Sequence, residues 1–160
     1  ATPVTKAELL LSKLLPYYGL GIAAMLICLL VSVAVMGVPW RGSLISLFVL
    51  TTLFLGSALG LGLFLSTVMR SQFNAAQAAL TAAFLPAMML SGFVFEIASM
   101  PPLLRVITHL IPARYFASSL QTLYQAGNVL SILLVNAVCL LLLAAFWLTL
   151  TARKTRRTLE

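Results

Sequence analysis

The sequence predicts an all-α membrane protein with four transmembrane helices, preceded by a short cytoplasmic helix and interrupted by an outer re-entrant or interfacial helical segment. Two observations carry that prediction: where charge is missing, and how apolar the intervals are. Ten basic and three acidic residues are confined to narrow places, leaving charge-free stretches at 14–40, 42–69, 71–95 and 115–152. About 20 apolar residues of helix cross a hydrocarbon core of ~30 Å, and each stretch exceeds that. The composition, 62% hydrophobic and 8% charged with a mean hydropathy of +1.11, leaves too little polar surface to coat a water-soluble globule. The net charge of +7 does not point to nucleic acid, because the basic residues punctuate apolar runs instead of clustering among polar neighbours.

Those cations set the topology. Lys6, Lys13, Arg70, Arg153, Lys154, Arg156 and Arg157 fall on one face and Arg41, Arg105 and Arg114 on the other, so the positive-inside bias places both termini in the cytoplasm. Residues 1–16 form a cytoplasmic segment, 17–151 the transmembrane domain and 152–160 a basic tail that can hold anionic lipid. The expected spans are 17–38, 44–69, 75–95 and 129–151, with an outer segment over 96–128. No cleavable signal peptide is visible. The chain opens on Ala1 in a segment that reads as cytoplasmic, as a piece of a longer protein would. Cys28 and Cys139 lie inside spans, where free cysteine behaves as a small hydrophobe, and no disulfide or metal site is expected.

Taken in order, the first span ends at Pro39-Trp40-Arg41, an aromatic and a cation suited to headgroups. The second carries Gly56 and Gly60, a GxxxG spacing that lets another helix approach closely without naming it. In the third, Pro86 removes the hydrogen bond to the Ala82 carbonyl and predicts a kink or break. Ser91 and Gly92 follow, so its outer end should be irregular. Beyond it, Pro101-Pro102 can start a helix in which Leu103, Leu104, Ile107, Leu110 and Ile111 oppose Arg105, Thr108 and His109, an amphipathic piece that Pro112 ends. His109 has no second ligand nearby and reads as solvated. Glu96, at the outer end of span three, is expected to be hydrated or paired with Arg105 or Arg114, with a gate or substrate contact as the competing reading. The last span is the most uniformly apolar, with Trp147 as an interfacial anchor near its inner end.

Catalytic constellations are missing: there is no GxxxxGK[ST], HExxH or GxSxG, and one histidine and three acids serve the whole chain. The same poverty disfavours an ion-coupled carrier, whose relays need ionisable groups within spans. At the N-terminus, Thr5-Lys6-Ala7-Glu8 fits a capping box, with Val4 and Leu9 placed as a hydrophobic staple. A short helix therefore begins at Lys6 and reaches Lys13 and Pro16 at the membrane. It lies on lipid or docks into a groove on a partner.

At this point the residues resemble a known family. The run Pro3 to Pro16 looks like the cytoplasmic coupling segment of ABC-2 type exporter permeases. Leu90-Ser91-Gly92-Phe93-Val94-Phe95, Met100-Pro101-Pro102-Leu103 and Ile111-Pro112-Ala113-Arg114-Tyr115-Phe116 look like the same family's outer-loop signature. One departure is Glu96, where related sequences often carry Pro. The resemblance covers the whole chain, which would supply helices three to six of six in a multidrug-export-like permease of the bacterial inner membrane. It implies that Thr5, Lys6, Glu8, Leu9, Leu10 and Lys13 contact a separate nucleotide-binding ATPase. It also implies that Pro86, Ser91, Gly92, Phe93, Phe95, Glu96, Met100, Pro101 and Pro112 belong to an outer gate or re-entrant segment. ATP and Mg would be bound on the partner ATPase and no cofactor by this chain, and a second permease half would pair with it as a homo- or heterodimer. The rival reading is a truncated permease that inserts and pairs as a scaffold but transports nothing.

Overall fold

The computed structural model describes residues 6–69, 71–92 and 94–158, and of Lys6, Ala7, Ala82, Ala83 and 155–158 the backbone alone. The Thr5 cap, the Val4 half of the staple, Arg70 and Phe93 lie outside the described residues. The chain divides into two compact units, 1–39 and 40–160.

Among its described residues the first unit is one helix. α1 (Lys6–Leu30) passes Pro16 without a break and runs into a wider π turn at Val31–Val35. Pro16 deprives the Ser12 carbonyl of its usual partner, a loss that apolar membrane helices tolerate when neighbouring groups take up the freed oxygen. Residues 6–16 are thus continuous with the first span, and the apolar helix extends over Glu8–Val35. It stops at Gly37, whose φ of 66° turns the chain so that the Val38 N–H reaches the Ser32 carbonyl at 3.0 Å.

The second unit is built on two long helices, α2 (Leu44–Val68) and α7 (Leu130–Thr158). Ser43 caps α2, its hydroxyl accepting from the Ile45 N–H at 3.2 Å. Buried residues on α2 are Leu47, Leu50, Thr51, Ser57 and Gly60. On α7 they are Leu133, Asn136, Leu140, Ala144 and Thr151, and their three- and four-residue spacing marks one helical face. That identifies the helix that Gly56 and Gly60 face. A methyl built on Gly56 would lie 3.6 Å from Ala144 Cβ, and one on Gly60 only 3.1 Å from Trp147 Cβ. The close approach lets the Ser57 hydroxyl donate across the seam to the Leu140 carbonyl at 2.8 Å, the kind of interhelical bond that holds helices together where no hydrophobic drive exists.

Between these helices the chain is broken. α3 (Gln72–Ala79), a π turn at Leu80–Phe84 and α4 (Leu85–Leu90) stack end to end, of 8, 5 and 6 residues. At about 1.5 Å per residue that stack falls just short of ~30 Å. It also opens on the polar Gln72, Asn74 and Gln77. Three helices among the described residues are long and apolar enough to cross a membrane, and the span expected at 75–95 is not one of them. The wide turn sits where a regular turn would drive the Pro86 ring into the Ala82 carbonyl. Past Leu90, Gly92 takes a φ of 85° and the helix is over.

The segment that follows folds as short helical pieces. A 3-10 turn at Ile97–Ser99 leads to α5 (Pro102–Ile107), a second 3-10 turn at Thr108–Leu110 and α6 (Pro112–Gln125). Pro102 and Pro112 each occupy the first turn of a helix, where the missing N–H costs nothing. α6 is pinned against α2 by the stacked rings of Phe54 and Phe116, 4.4 Å apart. Its far end clasps the loop before α2: Trp40 meets Tyr124 edge-on at 4.8 Å, Asn128 accepts from the Ser43 N–H at 2.9 Å, and Gly127, at φ 82°, crosses against Arg41. A methyl on Gly127 would lie 3.0 Å from the Arg41 carbonyl oxygen. Gly127→Ala should therefore destabilise the unit by about 1–2 kcal/mol through the left-handed backbone alone. Detergent unfolding followed by tryptophan fluorescence would register it, and an unchanged midpoint would show that the clasp carries no stability.

Candidate functional site

Three clefts open around α6 within the second unit, and they divide sharply by chemistry. The polar cleft, about 900 Å³, is lined by Ser91, Gly92, Glu96, Arg114, Asn136 and Cys139 among others. An apolar cleft of about 670 Å³ lies between α2, the broken stack and the start of α6, against Phe54, Phe84, Pro86, Pro112 and Trp147. A second apolar cleft of about 670 Å³ runs along Phe84, Met88, Phe116 and Leu120. It shares Ser91, Val94 and Gln121 with the polar one.

The polar cleft is shaped by a latch of arginines on backbone oxygens. Arg105 donates from Nη2 to the Ala98 carbonyl at 2.8 Å and, more weakly, to the Met100 carbonyl at 3.4 Å, folding the 3-10 turn over α5. Arg114 reaches back from α6, its Nη1 donating to the Thr108 hydroxyl and standing 3.4 Å from the Arg105 carbonyl. Thr108 is fully buried and donates to that same carbonyl at 2.7 Å. His109 Nδ1 sits 2.9 Å from the Arg105 carbonyl and 3.2 Å from Arg114 Nη1. His109 is exposed, as the solvated reading expects, and also belongs to the latch. Tyr115 closes it by donating to the His109 carbonyl at 3.0 Å. Burial, with Cys139 adding to it and Arg114 opposing, pushes the Tyr115 hydroxyl up from 10.0, so it stays a neutral donor.

The floor of the cleft is Asn136, 7% exposed. Its Nδ2 donates to Ser119 Oγ at 3.0 Å and lies 3.3 Å from Ser118 Oγ. The Ser119 proton is already given to the Tyr115 carbonyl at 2.7 Å, so its oxygen can only accept. That fixes the amide with Nδ2 toward α6 and leaves Oδ1 without a partner among the described residues.

The residues singled out from the sequence do not form one group. Ser91, Gly92 and Glu96 line the polar cleft, Pro86 and Pro112 the apolar one; Met100 offers its carbonyl to Arg105, with Pro101 leading into α5, and Phe95 is exposed. Gly56 and Gly60 serve the α2–α7 seam. Glu8, Leu9, Leu10 and Lys13 lie in the first unit, on α1, with Glu8, Leu9 and Lys13 exposed. Glu96 stands exposed, as its hydrated alternative expects, and pairs with neither Arg105 nor Arg114, whose bonded nitrogens reach carbonyls and a hydroxyl. One expectation is corrected. Trp147 is no headgroup anchor: its Nε1 is buried with no hydrogen-bond partner among the described residues, and its ring packs 5.6 Å from Phe64. Sequence reasoning passed over Asn136, Ser118, Ser119 and the Arg114–Thr108 latch. An amide in an otherwise apolar span was the available signal.

Residues 1–153 match the family described as ABC-2 family transporter protein. The chain belongs to the ABC-2 family. It is similar to two curated relatives, from Escherichia coli strain K12 and from Escherichia coli O157:H7, each named "Probable multidrug ABC transporter permease YbhS". Identity to each is 56% over 160 residues, covering 100% of this chain and 42% of the relative. The chain thus spans less than half the length of the curated relatives it matches. No solved structure matches it. Family and fold agree in kind: a membrane protein of long apolar helices with no strand among the described residues.

Proposed function

We propose that this chain is the part of an ATP-driven exporter permease that walls the substrate path, in the bacterial inner membrane with both termini cytoplasmic. The observation that carries the reading is the placement of the broken stack. Its π turn and Pro86 contribute to one apolar cleft, and its end at Ser91 and Gly92 to the polar cleft. Irregular backbone at membrane depth is tolerated where it lines a cavity or is buried in protein. The relatives' name adds a multidrug substrate range to the proposal.

The chain itself offers no phosphate cradle, so the energy comes from a separate ATPase that binds ATP and Mg. Residues 5–13 dock on that ATPase, using the charge of Glu8 and Lys13 and the apolar Leu9 and Leu10 at the start of α1. A second permease half completes the path. Co-expression with the ATPase encoded beside it, followed by purification in mild detergent, tests the docking. The native chain should retain the ATPase, and the double variant Glu8→Arg, Leu10→Asp should lose at least ~90% of it, about 1.4 kcal/mol of binding. Stable insertion with no ATPase retained by the native chain would instead leave a membrane scaffold that transports nothing.

A further inference from the structure

The polar cleft and the apolar cleft that shares a wall with it form one amphiphilic site, and its charges are balanced. Glu96 is exposed, and its carboxylate accepts nothing from the described residues. Asn136 Oδ1, at the floor, is a second acceptor held in place by the serines on α6. On the other wall, Arg114 has committed Nη1, while its Nη2 and Nε donate to none of the described residues. The residues that carry one carboxylate, one guanidinium and one amide oxygen thus line a single space. A simple cation would meet Arg114 and a simple anion would meet Glu96. A head carrying both charges satisfies each wall. Past Ser91, Val94 and Gln121 the lining turns to Phe84, Met88 and Phe116, which suits a hydrocarbon chain.

We propose that this paired cleft holds one phospholipid with a primary-amine headgroup: ammonium against Glu96 and Asn136 Oδ1, phosphate against the free edge of Arg114, acyl chain along Phe84, Met88 and Phe116. The occupant is a lipid of the surrounding bilayer, because the apolar half is continuous with a chain whose spans lie in lipid, and because charge complementarity requires both signs on one head. The site is independent of whether the chain transports anything. A quaternary ammonium, which has no N–H to donate, is disfavoured at two acceptors, and an anionic headgroup brings no cation to Glu96.

Native mass spectrometry of the full chain, stripped of lipid and re-exposed to equimolar phosphatidylethanolamine, phosphatidylcholine and phosphatidylglycerol, tests the assignment. The expected result is retention of a single ethanolamine lipid at least ~5-fold over the other two. Glu96→Gln and, separately, Asn136→Leu should each reduce that preference to below ~2-fold, while Phe73→Ala, on α3 and away from all three clefts, leaves it intact. Equal retention of the three lipids by the native chain overturns the proposal, and that measurement needs no variant to fold. So does an ethanolamine preference that survives both Glu96→Gln and Asn136→Leu in variants that elute as the native chain does.

Discussion

Gly60→Leu is expected to loosen the α2–α7 seam by about 3 kcal/mol, while Gly56→Ala, one turn earlier, leaves it unchanged or slightly tighter. The two glycines look equivalent in the sequence. They differ in what a side chain would meet: at Gly56 only Ala144 Cβ at 3.6 Å, ordinary contact, and at Gly60 Trp147 Cβ at 3.1 Å together with the Leu148 backbone nitrogen at 3.4 Å. The first is a methyl against a methyl. The second is the α7 main chain, which can retreat only by moving the whole helix, breaking the bond from the Ser57 hydroxyl to Leu140 and withdrawing Thr151 from the Gly60 carbonyl. Alanine at Gly56 also gains up to ~1 kcal/mol of intrinsic helix preference. Unfolding midpoints of the two variants in mixed detergent, read by tryptophan fluorescence, decide it. Equal losses at both positions would mean that the seam is not as close at Gly60 as described.

The seam also shows what could be read from the residues alone. Charge depletion marks α2 and α7 because a bilayer core expels ions whatever the fold, so long apolar helices are legible from composition. The GxxxG spacing announced a close approach, yet the partner is 83 residues away at the Ser57–Leu140 contact, and no local pattern encodes such a pairing. The same holds for the clasp of Ser43 on Asn128, 85 residues apart. Pro86 foretold a disturbance, but the π turn that absorbs it precedes the proline at Leu80–Phe84. The helical stack then ends at Leu90, ahead of Gly92 with its φ of 85°, and so the third expected span comes out short.

The cleft was partly legible. Ser91, Gly92 and Glu96 stood out as small or charged residues at the end of an apolar run, and they do line it. The opposite wall did not stand out, because Arg114 and His109 have local meaning only as surface polars. Their work is done through carbonyls at Arg105 and the hydroxyl of Thr108, which become neighbours only once Pro112 has turned α5 back onto α6. Ile111 precedes that turn at φ −96° and ψ 116°, an extended residue of the sort a following proline imposes.

Asn136 offers the second large effect, and the sign of its polarity matters more than its size. Asn136→Leu removes one donor from Ser119 and Ser118, but Ser119 keeps its bond to the Tyr115 carbonyl, so no proton is orphaned. The cost should be about 1 kcal/mol, in the range of single interhelical bonds in membranes. Asn136→Asp is nearly the same shape and should cost about 2 kcal/mol or more. The Ser119 hydroxyl has its proton committed to Tyr115 and presents only lone pairs to the new carboxylate, and 7% exposure leaves the charge little water. α6 should then lift from α7, and with it the Phe54–Phe116 stack. Cysteine pairs engineered at Ser118 and Val135, tested for crosslinking in native membranes, would report the separation. Loss of crosslinking for Asn136→Asp but not for Asn136→Leu is the expected pattern. If leucine separates the helices as fully as aspartate, the amide is the main bond joining α6 to α7, and apolar packing alone is not enough to hold them.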